Sequence, residues 1–392
     1  MIPSPRQLAI PTTILQAKSV KKKKSTNGAS GGGLKGFGSV TSVKLDGVET
    51  DRSKEARLFY DFLERGGAGD NLSRCALGYF SLGDAKGGLK LRGIVALKDM
   101  KKGDVMIRIP YELAINLGQE GVDPTGPGLA FLRDYCETLA SEAILDSSKS
   151  AYYRLLPPFR GDDCMGSTDF FSNEALDALQ APLVIRETLQ RRERVTARFV
   201  SDVDDSFPKW IDGTPVTEEH LRWAVWLITS RVLTVQGDAA EGKSYRLLIP
   251  FLDMCNHDRS SPHVLTGRAV PGGELKVVAG GTVKEGDQIN ICYGGGVSGN
   301  DRFIQDYGFL DTSGNNKAFD IAAQQIMGKS RLLEGNEAGR FISQADRETT
   351  LEQLRTTNIE EDTELFENES NPALRAAYQY RLGVKKALAL LQ

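Results

Sequence analysis

The 392-residue sequence has little of what builds metal centres and disulfide frameworks. Its five cysteines, Cys75, Cys136, Cys164, Cys255 and Cys292, form no Cys-x-x-Cys pair. Their odd number argues against a disulfide scaffold and for a reducing compartment. Histidine occurs only at His220, His257 and His263, so a zinc site of Cys and His ligands is not expected. The metal-like run Asp253, Cys255, His257, Asp258 reads instead as a polar turn closing a buried strand, and no metal is expected. No stretch approaches 18 consecutive apolar residues, which excludes a membrane-spanning helix and makes a membrane partner unexpected. Acidic residues are absent from residues 1–45, where eight basic residues lie; Asp46 is the first acid. The rest of the chain then carries 41 basic residues against 52 acidic ones, a charge of −11 hidden beneath a total of −3. A strongly basic nucleic-acid binder is excluded by that balance, and no nucleic-acid partner is expected.

What is present suits a folded protein. Apolar residues make up 40% and charged residues 26%, which excludes a wholly disordered chain, and the length suggests roughly two to three domains. The leader has no apolar core segment and so is not a secretory signal. Its acid-free, Ser/Thr-containing character suits an organelle transit peptide, Lys21–Lys24 could serve as a nuclear signal, and a solvated tail is the third reading. Gly31-Gly32-Gly33 reads as linker, and order is expected from about Asp51. Leu58, Phe59, Phe62 and Leu63 predict a helix that Gly66-Gly67 ends. Short strands are expected at residues 94–97 and 105–110. Residues 126–235 look mostly helical, with one helix starting at Thr217. Strand character returns at residues 245–251, 275–279 and 288–293. After Asp311 the chain reads as helical, with Pro372 opening a last helix through Leu391. Strands, then a helical insertion, then strands, then helices indicate an α+β fold.

One motif invites a wrong conclusion. Gly237-Asp-Ala-Ala-Glu-Gly-Lys243-Ser244 matches the phosphate-loop pattern, which works when a strand enters the loop and a helix leaves it. Here a helical pattern precedes and a strand-like segment follows. The context is inverted, and the segment reads as a surface loop between helix and strand.

Three other segments carry chemistry together: Gly88-Leu89-Lys90-Leu91-Arg92-Gly93-Ile94-Val95-Ala96, Ile249-Pro250-Phe251-Leu252-Asp253-Met254-Cys255-Asn256-His257, and Gly286-Asp287 through Ile291-Cys292-Tyr293-Gly294 to Asn300 and Asp306-Tyr307-Gly308-Phe309. Singly each is weak. In this order, with a helical insertion between the first two, they resemble SET-domain protein methyltransferases of the branch typified by the Rubisco large-subunit lysine methyltransferase. The opening helix around Phe59, the Tyr152…Leu156-Pro157 element, and Ser230-Arg231 support the likeness.

The resemblance implies an α+β SET fold with a pseudoknot. Residues 1–50 would be leader and linker, residues 51–311 the SET domain with its insertion at about 116–240, and residues 312–392 a short helical substrate-binding-like region. It implies S-adenosylmethionine as cofactor. Lys90, Leu91 and Arg92 would line the glycine-flanked turn, and Arg231 would contact the methionyl carboxylate, a group that guanidinium suits. Asn256 and His257 would hold the ammonium and adenine with side-chain and backbone groups, while Asp253 braces that turn. Tyr307 would stand beside the transferring methyl as the catalytic residue, and Tyr293 and Phe309 would wall the substrate channel. The implied partner is a protein bearing the target lysine. The absence of a Cys-rich segment after Phe309 favours a non-histone substrate. A plastid address is implied together with the basic leader, cytoplasm and nucleus being the alternatives, and a monomer is expected. Histidine methylation, a non-catalytic SET-like binding protein and, last, a nucleotide hydrolase are the competing readings.

Overall fold

The computed structural model describes residues 44–45, 48–81, 90–121, 123–140, 149–328 and 342–391. The basic leader through residue 43, Gly88 and Leu89 lie outside the described residues.

Strands β1 (Lys44–Leu45) and β2 (Val48–Thr50) lead into α1 (Lys54–Leu63). Ser53 Oγ caps this helix by accepting the Ala56 N–H at 3.2 Å. Ala56, Phe59, Tyr60 and Leu63 form its buried face. A π turn over Glu64–Ala68 ends it, with Gly67 at φ 80°, a conformation that costs glycine little. Then come β3 (Cys75–Ser81), β4 (Lys90–Ala96), β5 (Val105–Pro110) and β6 (Ile115–Gln119). Helices α2 (Thr125–Ala140), α3 (Lys149–Tyr153), α4 (Asp162–Met165), α5 (Asn173–Ala178), α6 (Pro182–Asp202) and α7 (Glu218–Arg231) separate β6 from β7 (Leu233–Gln236). Strands β8 (Ser244–Leu248), β9 (Asn256–His257), β10 (Val264–Thr266), β11 (Glu274–Val278) and β12 (Gln288–Ile291) follow. The rest is helical: α8 (Asn300–Arg302), α9 (Ser313–Ile326), α10 (Gln344–Leu354), α11 (Ile359–Asn368) and α12 (Pro372–Leu391).

Among the described residues the strands form three sheets, ordered β1-β2-β3-β4-β12-β9, β10-β11-β5 and β6-β8-β7. With segregated helices this is the α+β class. The pairing of β9 with β12 is parallel, Asn256 opposite Asn290 and His257 opposite Ile291, while every other pairing is antiparallel. Two chain segments distant in sequence therefore run side by side at the edge of the largest sheet.

Helix α7 is the central beam. From His220 to Arg231 all but Arg222 is buried, including Trp223 and Trp226; a helix apolar on nearly every side has to lie inside. Thr217 caps it as expected, its own N–H donating back to His220 Nδ1 at 3.0 Å. A second core draws Leu176 and Val184, from the helices between β6 and β7, together with Ile304, Phe319, Ala377 and Val384.

Some expectations change. The strand β3 and the short strands β6 and β10 were not legible in the sequence. β3 is Cys-Ala-Leu-Gly-Tyr-Phe-Ser, which lacks clean alternation and owes its conformation to pairing with β4 along its whole length. The phosphate-loop look-alike lies between two strands, not between helix and strand, because α7 stops at Arg231 and Leu233–Gln236 pairs with β8. Gly237 N–H donates to the Lys243 carbonyl at 2.8 Å, closing a hairpin. No helix N-terminus follows it to receive phosphate.

Candidate functional site

The site grows where α7 ends and the chain turns from β8 into β9. Phe251 precedes the turn Leu252–Met254 at φ 72° and ψ −47°, with its side chain fully buried. A non-glycine residue held there costs about 1–3 kcal/mol, and such strain gathers at functional sites. The turn points Asp253 inward. Its carboxylate is fully buried, and Oδ2 accepts the Tyr152 hydroxyl at 2.8 Å and Arg231 Nη1 at 3.3 Å. Arg231 Nη1 also reaches the Asp253 carbonyl at 3.1 Å. Burial pushes the Asp253 carboxyl up, and Arg231 offsets only part of that.

Arg92 joins this group from β4. Its guanidinium donates to the Leu155 carbonyl. Burial lowers its pKa first and the like charge of Arg231 adds to that. A buried guanidinium, that of Arg231, and the half-buried one of Arg92 thus both act on one carboxyl. Two polar atoms in this cluster lack a partner: Arg231 Nε, a donor, and Asp253 Oδ1, an acceptor. A buried unpaired donor is costly, so it marks a place where a polar ligand is gained rather than tolerated.

Asn256 ties the cluster to the sheet by donating from Nδ2 to the Arg92 carbonyl at 2.9 Å. The approach requires Gly93: a Cβ there would stand 2.7 Å from Asn256 Nδ2 and 2.5 Å from Gln288 Nε2. His257 Nδ1 accepts the Tyr293 N–H at 3.0 Å, which places the imidazole proton on Nε2, facing Asp311 Oδ2 at 3.2 Å. Both ring nitrogens are taken up inside the protein, so only the backbone of His257 is left to meet a ligand. Arg259 Nε meets the same Asp311 carboxylate at 2.7 Å, and its other nitrogens hold the Gly296 and Ser298 carbonyls. Burial alone would raise the Asp311 pKa, but the His257 and Ser313 hydrogen bonds and the Arg259 charge hold it well below the usual carboxylate range.

Beyond His257 the lining turns aromatic. Tyr307 ends a π turn over Phe303–Tyr307, and Gly308 follows at φ 85°. Its ring stacks on Tyr293 at 5.5 Å and lies 6.0 Å from Phe309, with Phe303 at 5.3 Å. Tyr293 is immobilised because its hydroxyl donates to the Cys255 carbonyl at 2.7 Å.

The expected site residues therefore fall into two adjoining groups. Arg231, Asp253 and Asn256 form a buried polar floor that half-buried Arg92 borders; Tyr293 and Phe309 pack near the His257 ring, and Tyr307 stacks on Tyr293, as an aromatic wall. Lys90 joins neither, since its ammonium pairs with Glu49 at 2.6 Å on an exposed edge. Leu91 lies in register with Phe80 on β3. Tyr152, Arg259 and Asp311 belong to the site without having been singled out for it. Tyr152 is 101 residues from its partner Asp253, so no local pattern announces the bond. The residues of the metal-like run go separate ways, Asp253 to Arg231 and Tyr152, His257 to Asp311 and Tyr293.

No family model matches the chain. It is 25% identical over 251 residues to the chloroplastic ribulose-1,5-bisphosphate carboxylase/oxygenase large subunit N-methyltransferase of Nicotiana tabacum, a match covering 59% of this chain and 48% of that protein. It is 24% identical over 245 residues to the chloroplastic [fructose-bisphosphate aldolase]-lysine N-methyltransferase of Arabidopsis thaliana, with the same shares. The chain thus spans about half the length of the curated relatives it matches. Among solved structures, the SET domain of LSMT bound to lysine and AdoHcy superposes with a TM-score of 0.56 at 19% identity, covering 86% of this chain and 90% of that one. Rubisco LSMT bound to AdoMet gives a TM-score of 0.53 at 19% identity, covering 86% and 91%. The fold is the SET fold, and the chain is similar to the Rubisco large-subunit methyltransferases.

Proposed function

We propose that this chain is an S-adenosylmethionine-dependent protein-lysine N-methyltransferase. The observation that carries the reading is the buried Arg231, with its unpartnered Nε, set beside the Asn256–His257 turn and the Tyr307 aromatic wall. The names of the relatives point the same way. The residues fit the cofactor's chemistry: the free Nε donor of Arg231 suits an α-carboxylate, and the free Oδ1 acceptor of Asp253 suits the α-ammonium. Asn256 and the His257 backbone complete the holding set. When bound, S-adenosylmethionine supplies an electrophilic methyl on a sulfonium.

The chain's own part is positioning. A lysine amine has to arrive neutral and in line with the methyl, which makes alignment the main catalytic contribution. Aromatic faces of Tyr293, Tyr307 and Phe309 attract an approaching ammonium by about 0.5–2 kcal/mol. The same buried wall excludes water, and burial favours the neutral amine. Tyr307 then orients that amine and offers its hydroxyl oxygen to the polarised methyl as a weak CH···O acceptor.

The finer assignments are part of the same proposal. Residues 51–311 act as the SET unit and residues 312–392 as the region that holds a non-histone protein. The acid-free basic leader, with the word chloroplastic in the relatives' names, supports a plastid address. The test is incubation of the protein with methyl-tritiated S-adenosylmethionine and, separately, purified Rubisco, fructose-bisphosphate aldolase and a plastid extract. Label on a lysine of an acceptor protein is expected, and Tyr307→Phe should abolish it while still binding the cofactor. Full transfer by that variant would sink the assignment of Tyr307. No transfer by the wild type to any acceptor would sink the enzyme reading.

A further inference from the structure

The π turn that ends in Tyr307 is gripped from a distant element. Arg191 lies on α6, between β6 and β7, and is 6% exposed. Its three nitrogens each have a separate task. Nε donates to Asp169 Oδ1 at 2.8 Å, Nη1 to Asp306 Oδ1 at 2.7 Å, and Nη2 to the Gln305 carbonyl at 2.8 Å. Two of these three acceptors immediately precede Tyr307. Neighbouring groups close the same contact: Ser167 Oγ donates to the Gln305 carbonyl at 2.8 Å, and Gln305 Nε2 to Thr188 Oγ1 at 3.3 Å. The backbones also touch, since a Cβ on Gly166 would stand 2.2 Å from the Gly308 carbonyl oxygen.

We propose that Arg191 is a positioning residue that sets the Tyr307 ring, by fixing the Gln305 carbonyl and the Asp306 carboxylate to the helical insertion. The proposal deepens the methyltransferase reading and rests on it for its functional half. A π turn is a rare conformation with an extra residue per turn. External bonds decide where its last side chain points. The planar fork of a guanidinium can meet three acceptors in fixed directions; an ammonium of equal charge cannot. Misplacement by about 1 Å costs an aligned reaction about 100-fold, so the insertion controls the reaction without touching the substrate. Arg192, the next residue, supplies the contrast. It is bonded to the carbonyls of Asp169, Thr168 and Phe171 and has no bond to residues 303–307 among those of its guanidinium.

The experiment compares Arg191→Lys, Asp306→Asn and Arg192→Lys with wild type in full-length protein labelled with 3-fluorotyrosine. The Tyr307 fluorine resonance is assigned by its loss in Tyr307→Phe. In Arg191→Lys that resonance should shift or broaden, with that of its stacking partner Tyr293, while those of Tyr60 and Tyr378 stay in place. Turnover of methyl-tritiated S-adenosylmethionine onto the acceptor that wild type labels should fall about 10- to 100-fold. The cofactor dissociation constant by calorimetry and the KM for the acceptor should hold. Arg192→Lys should lower the melting temperature without moving the Tyr307 resonance or kcat. Asp306→Asn, which keeps the Oδ1 acceptor, should repeat the Arg191→Lys pattern more weakly and replaces it if that variant does not fold. A Tyr307 resonance unchanged in both variants overturns the proposal, as does a kcat loss shared equally by Arg192→Lys. If wild type labels no acceptor, the enzyme reading fails, and the fluorine spectra still decide whether Arg191 positions Tyr307.

Discussion

Gly93→Ala adds one methyl at the junction of β4, β9 and β12, and its consequence can be worked out atom by atom. The new Cβ would lie 2.5 Å from Gln288 Nε2 and 2.7 Å from Asn256 Nδ2, whereas ordinary contact starts near 3.4 Å. Gln288 can swing its amide away. Asn256 cannot do so freely, because Nδ2 is bonded to the Arg92 carbonyl at 2.9 Å. A retreat of about 0.7 Å stretches that bond to about 3.6 Å, beyond hydrogen-bonding range. Losing the bond costs about 1 kcal/mol, and forcing a methyl into a filled site costs about 1–3 kcal/mol. The variant should lose about 2–4 kcal/mol of stability by urea unfolding. Displacing the Asn256 amide should also weaken S-adenosylmethionine binding about tenfold in calorimetry, equivalent to about 1.4 kcal/mol. Gly126→Ala, where nothing lies within 4 Å of the added methyl, is the matched control. If Gly93→Ala matches Gly126→Ala in both stability and affinity, the steric reasoning about this junction is wrong.

Arg231→Ala removes the donor with the unpaired Nε and should weaken S-adenosylmethionine binding at least about tenfold; an unchanged dissociation constant refutes its role. Asp311 has its folded-state pKa depressed, so its stabilising contribution is fully present above the unfolded value of about 3.9 and disappears as pH falls through the folded one. Comparing urea unfolding at pH 6 and pH 3 should therefore show a steeper acid loss for wild type than for Asp311→Asn, which is already weaker at pH 6; parallel losses would count against the His257–Asp311–Arg259 cluster as an acid-sensitive brace. Lys243→Ala sits in an exposed hairpin, beside Glu241 at 3.4 Å. It should leave methyl transfer unchanged, and a loss of activity with retained fold would revive the nucleotide reading.

Much of the fold is local in origin and could be read from the chain. The α1 face, the Thr217 start of α7 and the long helix α12 from Pro372 follow from spacing, caps and proline. The strands β4, β5 and β12 carry dense apolar runs. β3 does not, and its conformation comes from the strand beside it. The same division runs through the site. Arg231, Asn256, His257 and Tyr307 stand in short motifs that a resemblance can point to. Their supports stand elsewhere: Tyr152 for Asp253, Asp311 for His257, and Arg191 for the turn before Tyr307.

The sequence by itself determined the class of fold and the broad order of strands, helical insertion, strands and closing helices, because helix caps, turn residues and apolar periodicity act over a few residues. Tertiary structure alone decided which residues share a site. It left Lys90 at the exposed edge with Glu49 and put both ring nitrogens of His257 to internal use. It also turned the phosphate-loop look-alike into a hairpin. The physical reason is that hydrogen bonds and ion pairs form between whatever the folded backbone brings within about 3 Å, and Arg191 and Asp306 meet there across 115 residues of chain.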